Sequence, residues 1–237
     1  MTNTLIPLLL FALSIFPDAL VYANDKRMPP MAHFTFNGNA KNTGKERAEF
    51  ELKNVAFNTD TLYLNGQYEF DSSEIGYRAV CKTPNFNYAA FTVALTFKAE
   101  EFTERKTNIF VGGTSHRWFE MKRGESGDLI ITFNNHNLSY EVTNASLAAG
   151  KWTTVACGVD FSAHKILVYI NRIKSAEFDL PKDFKLRVIG STAEERDKNW
   201  SFTNYSNSNV FHGFVDELIL YNRMLTDSEL SEIPLTP

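Results

Sequence analysis

Residues 211–230 read Phe211-His212-Gly213-Phe214-Val215-Asp216-Glu217-Leu218-Ile219-Leu220-Tyr221-Asn222-Arg223-Met224-Leu225-Thr226-Asp227-Ser228-Glu229-Leu230. Up to Tyr221 the stretch is rich in the aromatic and aliphatic side chains that pack well on a pleated surface. Asn222-Arg223 interrupts it. Thr226 then stands three residues before Glu229, the spacing at which two residues satisfy each other's free backbone N–H groups at a helix start. Leu230 and Ile233 follow three apart. One short helix or turn is therefore expected after a closing strand. Helical periodicity is confined to this tail.

Upstream, short strands and turn signals alternate. Strands are expected at Phe34–Phe36, Glu49–Phe57, Thr61–Leu64, Tyr77–Lys82, Phe91–Phe97, Asn108–Val111, Arg117–Arg123, Asp128–Phe133, Trp152–Asp160, Lys165–Asn171 and Leu186–Gly190. Asn37-Gly38-Asn39, Asn65-Gly66, Gly112-Gly113 and Asn134-Asn135 supply the turns between them. Alternation assigns faces: Val155, Cys157 and Val159 share one, and Ile166, Val168 and Ile170 share one. Each such strand buries one side and leaves the other wetter. This pattern predicts an all-β sandwich. With no repeat and no linker, residues 30–233 read as one domain, with a lead at 24–29 and a tail at 234–237.

Composition narrows the function. Across 237 residues, 24 Lys+Arg against 28 Asp+Glu leave a net charge of −4, which argues against a nucleic-acid binder. Hydrophobic residues at 43% and charged residues at 22% exclude a disordered chain and a multi-span membrane protein. Leu5–Phe16 is apolar but short for a bilayer, and Val21-Tyr22-Ala23 suits a signal peptidase. Residues 1–23 are therefore expected to be a signal peptide. A retained anchor is the alternative, because Thr2-Asn3-Thr4 carries no positive charge. The expected location is secreted, periplasmic or cell surface. In that compartment Cys81 and Cys157 either form one disulfide, worth about 4 kcal/mol on chain-entropy grounds, or remain two buried thiols. Sequons stand at Asn137, Asn144, Asn199 and Asn204 and matter only in a eukaryotic source.

Two stretches carry a family resemblance. Gly150-Lys151-Trp152-Thr153-Thr154-Val155-Ala156 with Ile166-Leu167-Val168-Tyr169-Ile170-Asn171 resembles a "W-h-h-V-A … L-Y-V-N-G" hairpin. Val188-Ile189-Gly190 with Phe211–Leu230 resembles a closing signature. Both are found in laminin-G-like and pentraxin-like domains of the concanavalin A-like lectin/glucanase superfamily. Phe34–Ala40 and Phe91–Phe97 resemble the first turn and the "F-T-V-x-L-x-F" strand. The resemblance implies a jelly-roll sandwich of two curved antiparallel sheets, with Gly213 turning the backbone into the last strand. Three positions depart from the pattern: Arg172 replaces the hairpin glycine, Asn42 stands where an Asp often follows the first strand, and Ala94 stands where pentraxins carry a cysteine.

The resemblance also implies possible Ca2+, structural in role, held by the Asn37–Asn39 turn and Asp216. Asn37, Asn39 and Asp216 are thus the candidate metal ligands. The alternative is that Asp216 accepts only turn N–H groups. For ligand binding the candidates are Trp118, Glu120, Trp200 and Tyr205. Phe119 and Met121 should face the core, leaving Trp118, Glu120 and Lys122 on the other face. An outward Trp beside charged groups would stack a sugar ring; otherwise Trp118 packs under a loop and Trp200 pins its own. Glucanases on this fold carry carboxylates at E-x-D-x-x-E spacing on one strand, and no such run occurs; Asp216-Glu217 are adjacent and point to opposite faces. The five His at 33, 116, 136, 164 and 212 are scattered. The expected function is a secreted, non-enzymatic binding module for a glycan or an extracellular protein, with no catalytic residues assigned. The alternatives are a glycoside hydrolase or lyase with an unrecognised site, and a structural surface protein.

Overall fold

A computed structural model describes residues 28–65, 78–102, 106–113, 117–188, 199–202 and 211–234. In chain order the strands are β1 (Ala32–Phe34), β2 (Glu49–Lys53), β3 (Ala56–Phe57), β4 (Leu62–Asn65) and β5 (Arg78–Lys82). Then come β6 (Ala90–Ala99), β7 (Thr107–Gly112), β8 (Phe119–Arg123), β9 (Leu129–Phe133) and β10 (Leu138–Val142). The rest are β11 (Thr153–Asp160), β12 (Lys165–Ile170), β13 (Ile173–Asp179), β14 (Trp200–Ser201) and β15 (His212–Tyr221), followed by the helix α1 (Asp227–Ser231).

They form two antiparallel sheets, a jelly-roll sandwich. The eight-stranded sheet runs β13-β12-β11-β6-β15-β4-β3, with β1 also on β15; the seven-stranded sheet runs β10-β9-β8-β7-β14-β5-β2. The central pair, β6 and β15, matches Leu95 with Leu218 and Val93 with Leu220. Their inward faces, with Val155, Cys157 and Val159 of β11 and Ile166, Val168 and Ile170 of β12, pack on Phe119, Met121, Leu129, Ile131 and Phe133 of the opposite sheet. This is the alternation read from the sequence. The outer face of the eight-stranded sheet is partly roofed by the tail. Leu225, Leu230 and Ile233 cluster with Ala94, Ala156, Leu167, Tyr169 and Ile219. The Thr226–Glu229 capping box forms, and the Tyr169 hydroxyl donates to Asp227 at 2.7 Å.

Several expectations are corrected. Glu49–Phe57 is two strands in different sheets, because Asn54 adopts a left-handed backbone (φ 52°) that redirects the chain. Of the expected strand Leu186–Gly190, residues 186–188 are not a strand and 189–190 lie outside the described residues; Arg187 N–H instead donates to Asn134 Oδ1, just after β9, at 2.8 Å. β10, β13 and β14 have no counterpart among the expected strands. Gly213 makes no turn. It lies inside β15 at φ 150°, where a Cβ would come within 2.2 Å of the Lys98 carbonyl oxygen, so it permits close approach of β6.

Cys81 and Cys157 are free and buried, not bridged. Cys81 sits on β5 opposite Trp200 in one sheet, and Cys157 on β11 opposite Val93 and Val168 in the other. Packed sheets lie about 10 Å apart, whereas a disulfide needs Cα atoms within ~7 Å. Burial pushes both thiols well above their ordinary pKa. The signal-peptide stretch and the C-terminal residues 235–237 lie outside the described residues.

Candidate functional site

On β8, Phe119 and Met121 turn into the core and Glu120 and Lys122 turn to the outer face of the seven-stranded sheet. Outward does not mean wet here: Glu120 is 0% exposed and Lys122 6%. Glu120 is the centre of a network. Its Oε2 accepts from the Thr132 hydroxyl of β9 at 2.7 Å and Lys122 Nζ at 3.0 Å, and lies 3.1 Å from His136 Nδ1. Its Oε1 accepts from Arg117 at 2.8 Å. Lys122 Nζ also lies 2.6 Å from His136 Nδ1. Register places Asn108 of β7 opposite Lys122. Asn108 is 2% exposed, and its Nδ2 is buried with no hydrogen-bond partner. Arg117 and His136 keep the network open at its edge, with side chains 27% and 47% exposed.

The protonation states follow from this packing. Burial alone would raise the Glu120 pKa, but Lys122, the Thr132 hydroxyl and Arg117 together hold it below the ordinary carboxylate range. Burial lowers Lys122, opposed by Glu120. Burial, with Lys122 and Arg117, outweighs Glu120 and holds His136 below the ordinary imidazole value. A buried carboxylate with a cation and a neutral imidazole beside it offers donors and acceptors in fixed positions, which suits hydroxyl-rich ligands.

Two of the sequence candidates are elsewhere. Trp118 lies just before β8 begins and, at 0% exposed, is folded into the core. Its ring is 4.6 Å from that of Trp200, which is also fully buried and stacks on Phe110 at 5.2 Å. Neither indole is an outward platform. Tyr205 lies outside the described residues, as does Asn204. Asn137 and Asn144 are exposed, and Asn199 is half-buried. Strand alternation foretold the shared face of Glu120 and Lys122. Arg117 reaches it from the same segment, three residues before Glu120; Thr132 and Asn108 reach it through sheet register and His136 from the turn after β9, which no local pattern encodes.

The candidate calcium ligands fit the ion poorly. Asn37 and Asn39 are in an exposed turn, where Asn39 Oδ1 already accepts from Lys41 N–H at 2.8 Å. Asn42 Oδ1 is likewise taken by the N–H groups of His33 and Gly44. Asp216, 6% exposed, sits at a bulge of β15 and is the one carboxylate of the set, far short of the six to eight oxygens calcium takes. Among the described residues no group of three or more His, Cys, Asp or Glu is placed to hold a metal ion.

Fold and site together define an antiparallel jelly-roll domain with a polar, buried-charge patch on one outer face. The chain belongs to the laminin G family of the "Concanavalin A-like lectin/glucanases superfamily", whose model matches residues 74–231. Among solved structures it is similar to botulinum neurotoxin type C, whose cell entry depends on two ganglioside molecules (TM-score 0.65, 12% identity, 88% of this chain and 51% of that one). It is similar to the binding domain of botulinum neurotoxin DC in complex with rat synaptotagmin II (TM-score 0.62, 12% identity, 86% and 50%). It is also similar to domain 4 of AbnA, an extracellular arabinanase from Geobacillus stearothermophilus, in complex with arabinotriose (TM-score 0.63, 18% identity, 86% and 97%). The chain spans about half of the toxin chains and nearly all of the arabinanase domain. No curated protein sequence matches it.

Proposed function

We propose that this chain is a secreted, non-enzymatic module that binds carbohydrate on the outer face of its seven-stranded sheet. The observation that carries the reading is the Asn108 amide. It is buried beside Lys122 with an unused donor, and an unmet buried donor is costly unless something completes it. A sugar enters at the edge where Arg117 and His136 stay accessible, and its hydroxyl reaches the sealed Asn108 donor when those side chains move aside. Glu120 is a positioning residue, holding Arg117, Lys122 and His136 in place. The leader-like residues 1–23 support export, and similarity to domains described with gangliosides and arabinotriose supports the ligand class.

The test is titration of residues 24–237 with arabino-oligosaccharides and then a glycan array. Asn108→Leu and His136→Ala should each weaken binding about tenfold, the loss expected when a hydrogen bond in a desolvated site is removed, with unfolding midpoints close to the parent's. Unchanged affinity in both variants would move the site elsewhere.

A further inference from the structure

The outer face of the eight-stranded sheet has two unlike halves. The C-terminal tail roofs one. The other carries a row of side chains running across four segments: Tyr63 of β4, Phe214 of β15, Lys98 of β6, and Trp152 just before β11. Register pairs Phe214 with both Tyr63 and Lys98, and Trp152 precedes Thr153, the partner of Phe97. The Tyr63 and Phe214 rings are 5.0 Å apart. Lys98 Nζ lies 4.8 Å from the Phe214 ring and 5.3 Å from the Trp152 ring. All four side chains are half-buried, so the sheet supports them while part of each meets solvent.

Polar groups flank the row on two sides. At the Tyr63 end, His212 Nε2 lies 3.0 Å from the Tyr63 hydroxyl and 2.8 Å from Glu100, and its Nδ1 lies 3.1 Å from Glu101. Along the strands, the next cross-strand set is Glu217, Thr96 and Thr154, with the two threonine hydroxyls 2.8 Å apart. Glu217 is 7% exposed. One of its oxygens meets His33 Nε2 at 2.7 Å; the other is buried with no partner. An aromatic strip, an ammonium and an unfilled acceptor therefore share one face.

We propose that this half-face is a second binding platform, and that its ligand is a neutral saccharide. The C–H face of a sugar ring packs on the Phe214 and Trp152 rings, displacing the Lys98 ammonium that lies over both. Its hydroxyls accept from Lys98 and donate to the accessible Glu100 carboxylate. Glu100 and Glu101, with side chains 40% and 70% exposed, repel an acidic sugar. This inference rests on the carbohydrate reading above and adds a site on the opposite sheet, so one module holds two segments of polymer.

Native affinity electrophoresis of residues 24–237 in gels containing arabinan, xylan, mannan, mixed-linkage β-glucan or alginate tests it. Trp152→Ala and Lys98→Met are compared with the parent and with Asn108→Leu, and near-UV circular dichroism reports folding. Lys98→Met keeps the side-chain length and gives a readout if Trp152→Ala fails to fold. The expected result is retardation of the parent by a neutral polymer and not by alginate. Each platform variant should weaken it by about tenfold, as loss of an aromatic or cationic contact predicts, and combination with Asn108→Leu should weaken it further than either alone. Equal retardation of parent and folded platform variants overturns the second site and leaves the carbohydrate reading standing. Retardation by alginate alone overturns the assignment to neutral sugars. A folded parent retarded by no polymer overturns both.

Discussion

Glu120 shows how one carboxylate can be wholly removed from water and still be ionised: the Thr132 hydroxyl, Lys122, Arg117 and His136 all surround it. Glu120→Ala strands the buried Lys122 charge and should lower unfolding free energy by roughly 3–5 kcal/mol, measurable by urea denaturation. The pH dependence has a definite sign. Glu120 and His136 both have folded pKa values below their ordinary ones, so the folded state binds fewer protons. The stability they contribute is present above the ordinary values and falls as pH drops, first through the imidazole range and then through the lowered carboxylate value. His136→Gln should flatten the first part of that loss. The core tryptophans behave differently. A Cβ at Gly112 would stand 2.6 Å from the Trp118 ring, so Gly112→Ala should destabilise by about 1–3 kcal/mol through overpacking. Trp118→Ala should cost about 3–5 kcal/mol through a cavity. Both are read by denaturation, with no loss of affinity in the fraction that stays folded.

The β12–β13 hairpin turns through Asn171 and Arg172, both with positive φ (50° and 68°). A left-handed backbone suits glycine at the second position; here Arg172 occupies it, and its Nε donates to the Ile233 carbonyl at 2.8 Å, tying the tail to the sheet. Arg172→Ala keeps the strain and loses the tie, whereas Arg172→Gly loses the tie but relieves the strain. The Ala variant should therefore be the less stable by about 1 kcal/mol, seen as the lower thermal midpoint. At this scale much was legible in advance. Faces of β11 and β12 followed from alternation, and α1 from Thr226 and Glu229. The misses have physical causes. Ile173–Asp179 is an edge strand with exposed or half-buried side chains throughout, so it shows no apolar stripe. Trp200–Ser201 is two residues long and is defined by its neighbours β5 and β7. Alternation puts Trp118 outward only if the strand already includes it; β8 begins at Phe119, and Trp118 lies in a bend before it, where strand alternation does not hold.

As a whole the molecule is two sheets closed over an aromatic core, with chemistry held on the outsides. Because Cys81 and Cys157 face that core from opposite sheets, reducing agent should leave the thermal midpoint unchanged, and both thiols should react with a thiol reagent only on unfolding. The partly committed oxygens around Asn39 and Asn42 predict that chelation shifts the midpoint by no more than about 1 °C, within the range of a few tenths of a kcal/mol. The central claim is that the outer sheet face around Asn108 and Glu120 recognises carbohydrate. It is tested most directly by calorimetric titration of residues 24–237, parent against Asn108→Leu, with the best ligand from a glycan array. The account predicts saturable binding that weakens about tenfold in the variant while the fold is retained. A folded parent that binds no glycan would contradict it, and so would equal affinity in the two proteins.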